Sequence, residues 1–381
     1  MKIAVIICEY NPLQKGHVYH IRKTVEDCAC DKVVCVMSGN FVQRGEAAIA
    51  DKYTRAEWAV KNGADLVIEL PPQYALTTAK YFALGAIKIA NALDCEKVLS
   101  FGSEEGNMEK LKKAVEFEES KEFKTLFEKF ISEGNGYATS YSLALKSFDE
   151  ELACLLSSPN NTLAVEYLRA IKQTGSNLIP YTIKRIGAYD SEDLNGQFAS
   201  ASAIRRAVAD GKTDCVKDYV PDDVYSFLSA LSRDIAELTQ DRLLAILKYT
   251  LSLDGASKAH GVKEGIENRI CQHIKNAKTF SSLVSDIETK RYTRSYVRRT
   301  LLNIALGNNL QADELIAQEI DCVNALAVAE DSRELLSLFK CPVITKASRL
   351  SPDSLIAKSD SLYASLAGDF GKIMKVVKKL R

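Results

Sequence analysis

Four short runs of mostly β-branched and aliphatic residues, KIAVIIC (2–8), KVVCVM (32–37), DLVIEL (65–70) and EKVLSFG (96–102), recur near the start of the chain, each followed by a turn and an amphipathic stretch. Between them His17–Asp27, Lys52–Asn62 and Tyr74–Leu93 carry apolar residues at helical spacing, and Gly63 stands where a helix would end in a left-handed residue. Strands alternating with helices of this length form right-handed βαβ units, so the runs predict a doubly wound α/β domain whose parallel sheet is covered on both faces. Residues 107–170 read as mostly helical, with the acidic VEFEESKEF (115–123) as a solvated helix face, and LIPYTIKRIG (178–187) and SASAIRRAV (200–208) then return to the sheet. Past YVPDDV (219–224) long helical segments take over, among them DRLLAILKYTL (241–251) and RSYVRRTLLNIAL (294–306). The expected organisation is therefore a Rossmann-like domain over 1–215 and a second, mainly helical C-terminal domain over 216–381, cut between Asp210 and Asp222. SRELLSLFKCPVITKAS (332–348) adds one late helix and strand, and the tail GKIMKVVKKLR (371–381) predicts a helix with Ile373, Val376, Val377 and Leu380 on one face.

Fifty basic and fifty acidic side chains cancel, so any nucleic-acid surface must be a local patch. Ten cysteines scattered without a C-x-x-C pair fit reduced thiols better than a disulfide framework, and Cys28 and Cys30 read as packing residues. No uncharged apolar run approaches 18 residues and Met1 leads straight into a strand, so the expectation is a soluble, cytoplasmic protein with no membrane partner.

In an open α/β sheet ligands gather beyond the carboxyl ends of the strands, where a glycine admits phosphate close to backbone and a helix start offers free N–H groups. Gly16 and His17 in NPLQKGHVYH (11–20) sit at that address. No G-x-G-x-x-G follows the first run, and Gly211-Lys212-Thr213 lacks the upstream glycine of a P-loop. His17 and His20 in H-V-Y-H have no evident third ligand, so no metal site is expected. His20 reads equally as a phosphate contact or a buried structural histidine.

EYNPLQKGH (9–17) resembles the (H/T)-x-G-H signature of the adenylyl-transferring nucleotidyltransferases, and FASASAIRRAV (198–208) resembles their I-S-S-T-x-I-R signature. Residues 36–71, VMSGNFVQRGEAAIADKYTRAEWAVKNGADLVIELP, together with SSPNNTLAVEYLRA, YTIKRIG, EGIENRI and KRYTRSYVRRTLLNIAL, are similar to one narrower family, the bacterial tRNA(Met) cytidine acetate ligases, as far as Asn308. The resemblance implies that acetate attacks the α-phosphate of ATP to give acetyl-adenylate and pyrophosphate, and that the acetyl group passes to the exocyclic amine of the wobble cytidine of elongator tRNA(Met). ATP is then a co-substrate accompanied by Mg2+, and no stable protein partner is implied. The superfamily signatures alone would equally support an adenylyltransferase for a small phosphorylated metabolite, or an RNA-binding homologue with impaired catalysis.

Carried over position by position, the resemblance makes Ile7, Cys8, Glu9, Tyr10, Asn11, Pro12, Leu13, Gln14, Lys15, Gly16, His17, Val18, Tyr19 and His20 the ATP-binding strand and turn. Gly102, Asn160 or Asn161, and Arg185 match further ATP contacts, while Ser200, Ser202 and Arg205 would hold the triphosphate from the opposite helix. His17, Gln14 and Arg205 are the expected catalytic residues. The family usually carries histidine where this chain has Gln14, and Ala201 replaces a signature serine. Glutamine donates a hydrogen bond but never becomes cationic, so a lost charged contact would cost about 1.5–3 kcal/mol, roughly 10–150-fold in rate. Gln43, Arg44 and Glu46 are expected in a loop that contacts acetate, the anticodon base or both. Lys290, Arg291, Arg294, Arg298 and Arg299, of which Arg291, Arg294 and Arg298 are expected close to one face of a helix, with Tyr292 and Tyr296 interleaved, suit RNA backbone contact and base stacking, and the lysines of the tail form a weaker second patch.

Overall fold

The computed structural model describes residues 1–367 and 378–380, except 136, 157, 187–193, 195, 232–234, 257 and 264. The apolar runs all become strands. β1 (Lys2–Cys8), the first, is followed by α1 (Lys15–Cys28), β2 (Lys32–Ser38), a small hairpin of β3 (Phe41–Val42) and β4 (Glu46–Ala47), α2 (Lys52–Lys61), β5 (Leu66–Leu70), α3 (Pro72–Ala75), α4 (Ala79–Asn91) and β6 (Glu96–Ser103). Helices α5 (Met108–Glu119), α6 (Lys121–Ser132), α7 (Tyr137–Phe148), α8 (Glu150–Leu155) and α9 (Pro159–Gln173) precede β7 (Ile179–Lys184) and α10 (Ala201–Ala209). α11 (Asp222–Ser229), α12 (Ile235–Asp254), α13 (Ile266–Ile274), α14 (Phe280–Ile287), α15 (Arg294–Leu306) and α16 (Ala312–Ala317) lead to β8 (Val323–Ala329), β9 (Val343–Ile344), α17 (Leu355–Ala367) and β10 (Lys378–Leu380).

The sheet runs β10-β8-β5-β2-β1-β6-β7, with β9 beside β8. β1 pairs in parallel with β2 on one side and β6 on the other, so the chain winds outward in one direction and then crosses to the other. The crevice beyond the carboxyl ends of β1 and β6 is the topological switch point where such sheets take ligands. Alternate residues of β1 feed opposite faces: Ile3 and Val5 pack with α4 and α9, Ala4 and Ile6 with α1, α2 and α10.

Three local expectations differ from the structure. The helix expected over Tyr74–Leu93 is broken at Leu76–Thr78, where Thr77 Oγ1 donates to the Tyr74 carbonyl at 2.6 Å and gives the backbone a partner outside the helix. In VEFEESKEF, Phe117 and Phe123 are buried against Ala144 and Leu145, and Ser120 caps a new helix there, so that stretch is not one solvated face. Residues 378–380 of the tail form a strand on β8 rather than a helix, and Ile373, Val376 and Val377 lie outside the described residues.

Past the cut near Asp210–Asp222 the chain is mainly helical around its own core of Leu247, Ile270, Leu283 and Leu301, yet it returns to the sheet. β8 pairs antiparallel with β5. A buried polar network fastens the two parts: Lys52 Nζ lies 2.8 Å from Glu69 Oε2 and 2.7 Å from Asp360 Oδ1, Asn324 Nδ2 donates to Glu69 Oε2 at 2.6 Å, and Asn40 Nδ2 donates to Asp360 Oδ1 at 2.8 Å. Gly39 makes room for it, since a Cβ there would lie 2.4 Å from Glu69 Oε1. Among the described residues no helix is long and apolar enough to cross a membrane.

Candidate active site

At the switch point a cavity of about 250 Å3 is lined by the end of β1, His17 and His20 of α1, Gly102, Asn160, Arg185, Ser200, Ser202 and Arg205. α1 enters it through its cap. Gln14 is extended and buried, its Oε1 accepts from the Gly16 N–H, and its carbonyl accepts from the His17 N–H at 2.8 Å. The first-turn N–H groups expected to be open to phosphate are thus occupied by Gln14 itself, and Gly16 leaves room for the Gln14 amide, since a Cβ would lie 2.7 Å from that Oε1.

His17 Nδ1 accepts from the Gln14 N–H at 3.2 Å, which assigns the ring proton to Nε2. Burial first, then the Arg185 guanidinium and His20, push the His17 imidazole down to about 3, so near neutral pH it is an uncharged ring donating one N–H. His20 is held differently. Thr24 Oγ1 donates to the His20 carbonyl at 2.8 Å and so accepts from Ser100 Oγ at 2.6 Å, leaving Ser100 Oγ to accept from His20 Nε2 at 3.0 Å. Burial and Arg185 push His20 down to about 4, and its remaining nitrogen carries a lone pair rather than a proton. An anion in the cavity therefore meets an N–H on His17 and none on neutral His20.

The opposite wall is α10. Ser200 caps it by accepting from Ala203 N–H at 3.0 Å, and the Ala201 and Ser202 amides have no partner among the described hydrogen bonds. Arg205 Nη1 donates to the Asn11 carbonyl at 2.7 Å, tying α10 to the turn after β1, while Nη2 lies 3.5 Å from Glu46 Oε2. Of the two asparagines, Asn160 lines the cavity, with its Nδ2 on Glu104 Oε1 at 2.6 Å. Asn161 is buried and spent on structure, donating to the Leu155 carbonyl at 2.9 Å and accepting from Glu105 N–H at 3.1 Å.

A family model described as HIGH Nucleotidyl Transferase matches residues 1–375. Over 379 residues the chain is 37% identical to the tRNA(Met) cytidine acetate ligase of Clostridium novyi, covering 96% of this chain and 94% of that one. The chain belongs to the tRNA(Met) cytidine acetate ligase family. The ligase of Caldanaerobacter subterraneus is 40% identical over 363 residues, covering 91% of this chain and 89% of its own. Thermotoga maritima TmcAL bound with α-thio ATP superposes with a TM-score of 0.84 at 28% identity, over 99% of this chain and 97% of that one. Its apo form gives 0.86 at the same identity and coverage. The family likeness thus runs past Asn308, where the motifs alone had faded.

Within this family fold the basic segment divides in two. Lys290, Arg291 and Arg294 are exposed, Arg294 Nη1 lying 3.3 Å from Glu288 Oε2. Arg298 turns inward to Glu46, and Arg299 Nη1 donates to the Gln43 carbonyl at 3.1 Å. Burial pushes the Arg299 guanidinium down to about 10. The hairpin docks this closely because Gly45, at φ +76°, carries no Cβ, which would lie 2.6 Å from the Arg299 backbone nitrogen. Two expectations fail here. Arg291 precedes the helix instead of sharing its face, and Tyr292 is buried and stacks on Tyr296 with ring centroids 6.0 Å apart, so Tyr292 does not present a face to a base.

Motif reading missed Arg55, whose fully buried guanidinium donates to the Ala50 carbonyl at 2.9 Å, the Glu9 carbonyl at 2.6 Å, the Ser38 carbonyl at 3.2 Å and the Gly39 carbonyl. It draws the ends of β1 and β2 together and so shapes the rim. An arginine on the apolar side of an amphipathic helix was the available signal.

Proposed function

We propose that this chain is an ATP-dependent acetate ligase that forms acetyl-adenylate and acetylates the exocyclic amine of the wobble cytidine of elongator tRNA(Met) in the cytoplasm. The observation that carries the reading is the convergence of His17, Arg185, Arg205 and the first turn of α10 on one crevice at the end of β1 and β6. An acetate oxygen attacks the α-phosphorus, the bond to the bridging oxygen breaks, and pyrophosphate leaves. Arg205 and Arg185 offset repulsion between carboxylate and triphosphate, and the His17 Nε2–H and the α10 amides donate to charge that grows on the leaving group. Mg2+ would arrive on the phosphates, since among the described residues no group of three or more His, Cys, Asp or Glu is placed to hold a metal. Residues 1–215 supply this chemistry in our reading, and 216–381 most of the RNA surface. Incubation with ATP, labelled acetate and elongator tRNA(Met) is expected to yield labelled N4-acetylcytidine. Label entering only when acetyl-CoA replaces acetate would overturn the reading.

Gln14→His is expected to raise acetate-dependent pyrophosphate release by no more than about tenfold, the range of a neutral hydrogen bond, because the burial that keeps His17 and His20 uncharged acts on position 14 as well. An unchanged rate would mean that the glutamine amide suffices. The RNA contact rests on the exposed cations. Replacing Lys290, Arg291 and Arg294 together by alanine is expected to reduce the slope of log K for tRNA against log salt by about 2 to 3, read by filter binding over a salt series.

A further inference from the structure

We propose that Glu9 is the catalytic base of the transfer step: one carboxylate oxygen accepts from the exocyclic amine of the cytosine and takes its proton as the nitrogen attacks the acetyl carbonyl. This rests on the function proposed above.

Glu9 directly follows β1 and lines the same cavity as His17, Arg185 and Arg205. Among the described residues its carboxylate is anchored through one oxygen. Oε1 accepts from the Gln43 N–H at 2.7 Å and lies 3.4 Å from Ser38 Oγ, whereas no described hydrogen bond ends on Oε2. The Glu9 carbonyl is held by Arg55 Nη1 at 2.6 Å, so the residue is fixed from both ends with one oxygen left for the cavity.

The chemistry of the substrates decides what that oxygen meets. ATP and acetate are both anions, and a carboxylate beside either raises the repulsion that Arg185 and Arg205 are placed to reduce. The reacting group that is neutral and rich in donor hydrogens is the cytosine amine, and a carboxylate accepting from that amine is a recurrent pairing where cytosine is read directly. The amine is a weak nucleophile because its lone pair is shared with the ring, and its N–H becomes strongly acidic only as the new bond forms. A base within reach at that moment is what the step lacks. The lone pair of the amine nitrogen forms the bond to the acetyl carbon, and the bond from that carbon to the phosphate oxygen breaks with its electrons leaving on AMP. One amine proton passes to Oε2 of Glu9 and is later lost to solvent. Burial raises the Glu9 carboxyl, while the Gln43 amide, Arg55 of α2 and Arg205 of α10 hold it down.

Glu9→Gln retains an oxygen for the Gln43 N–H and removes the base, and Glu9→Asp retains the base on a shorter arm. Two rates are measured for each on folded full-length protein: acetate-dependent exchange of pyrophosphate into ATP, and single-turnover transfer from acetyl-adenylate to elongator tRNA(Met). The expected result is that Glu9→Gln lowers transfer by about 10²–10⁴-fold more than it lowers exchange, with Glu9→Asp falling between it and wild type. Transfer and exchange falling together in either variant, or transfer surviving in Glu9→Gln, overturns the assignment. If only Glu9→Asp folds, a loss confined to transfer supports the proposal and a parallel loss overturns it. Wild-type protein that shows no exchange with acetate contradicts the proposed function, an outcome distinct from either variant's.

Discussion

Arg205→Met is expected to lower acetate-dependent pyrophosphate release by about 10²–10³-fold, the loss that follows removal of one preorganised donor from developing charge. The guanidinium has two tasks. Its Nη1 holds the Asn11 carbonyl at 2.7 Å and so fixes the turn that carries Gln14 and His17, and its charge lies between the cavity and Glu46. Methionine preserves the stem and removes both functions. Arg205→Lys restores charge without the planar fork and is expected to recover part of the rate only. Stopped assays of pyrophosphate release, with nucleotide affinity measured separately, check the prediction, and a variant that releases pyrophosphate at the wild-type rate would remove Arg205 from the chemistry.

The largest stability effect is expected from Lys52→Met, which leaves the buried Glu69 and Asp360 carboxylates without their cation and destabilises the fold by about 3–5 kcal/mol. That is a large share of the 5–15 kcal/mol typical of a folded domain. Urea denaturation reads it directly. The same cluster has a pH signature. Burial pushes the Asp360 carboxyl up to about 7 from 3.8, Lys52 opposing and Glu69 adding to the rise. The folded chain then binds a proton that the unfolded chain has released, so the contribution of this group to stability falls as pH rises from about 4 to about 7. Asp360→Asn is expected to flatten that part of the stability curve.

The central sheet was legible because its strands are buried on both faces and therefore read as continuous apolar runs, and His17 was legible because a glycine and a histidine follow the first of them. β8 was not. Three of the seven residues of its sequence VNALAVA are alanine, and it pairs with a strand more than two hundred positions earlier, a choice that no local pattern records. Lys52, Glu69 and Asp360 carried no sequence signal for the same reason, since only the folded chain brings α2, β5 and α17 to one point. In the basic segment, spacing identified a cluster of cations but not that Arg298 and Arg299 face the hairpin while Lys290, Arg291 and Arg294 face solvent. The resemblance named Asn160 and Asn161 together, and burial separates them.

The most direct measurement is a crystal structure of this protein with a non-hydrolysable ATP analogue. The triphosphate is expected in the switch-point crevice, with phosphate oxygens within hydrogen-bond distance of His17 Nε2 on one side and the Ser202 amide on the other. A second cavity of about 400 Å3 lies between the hairpin, α10 and the helical domain, and shares only Arg205 with the first. Nucleotide seated there, with the crevice between α1 and α10 empty, would contradict the account.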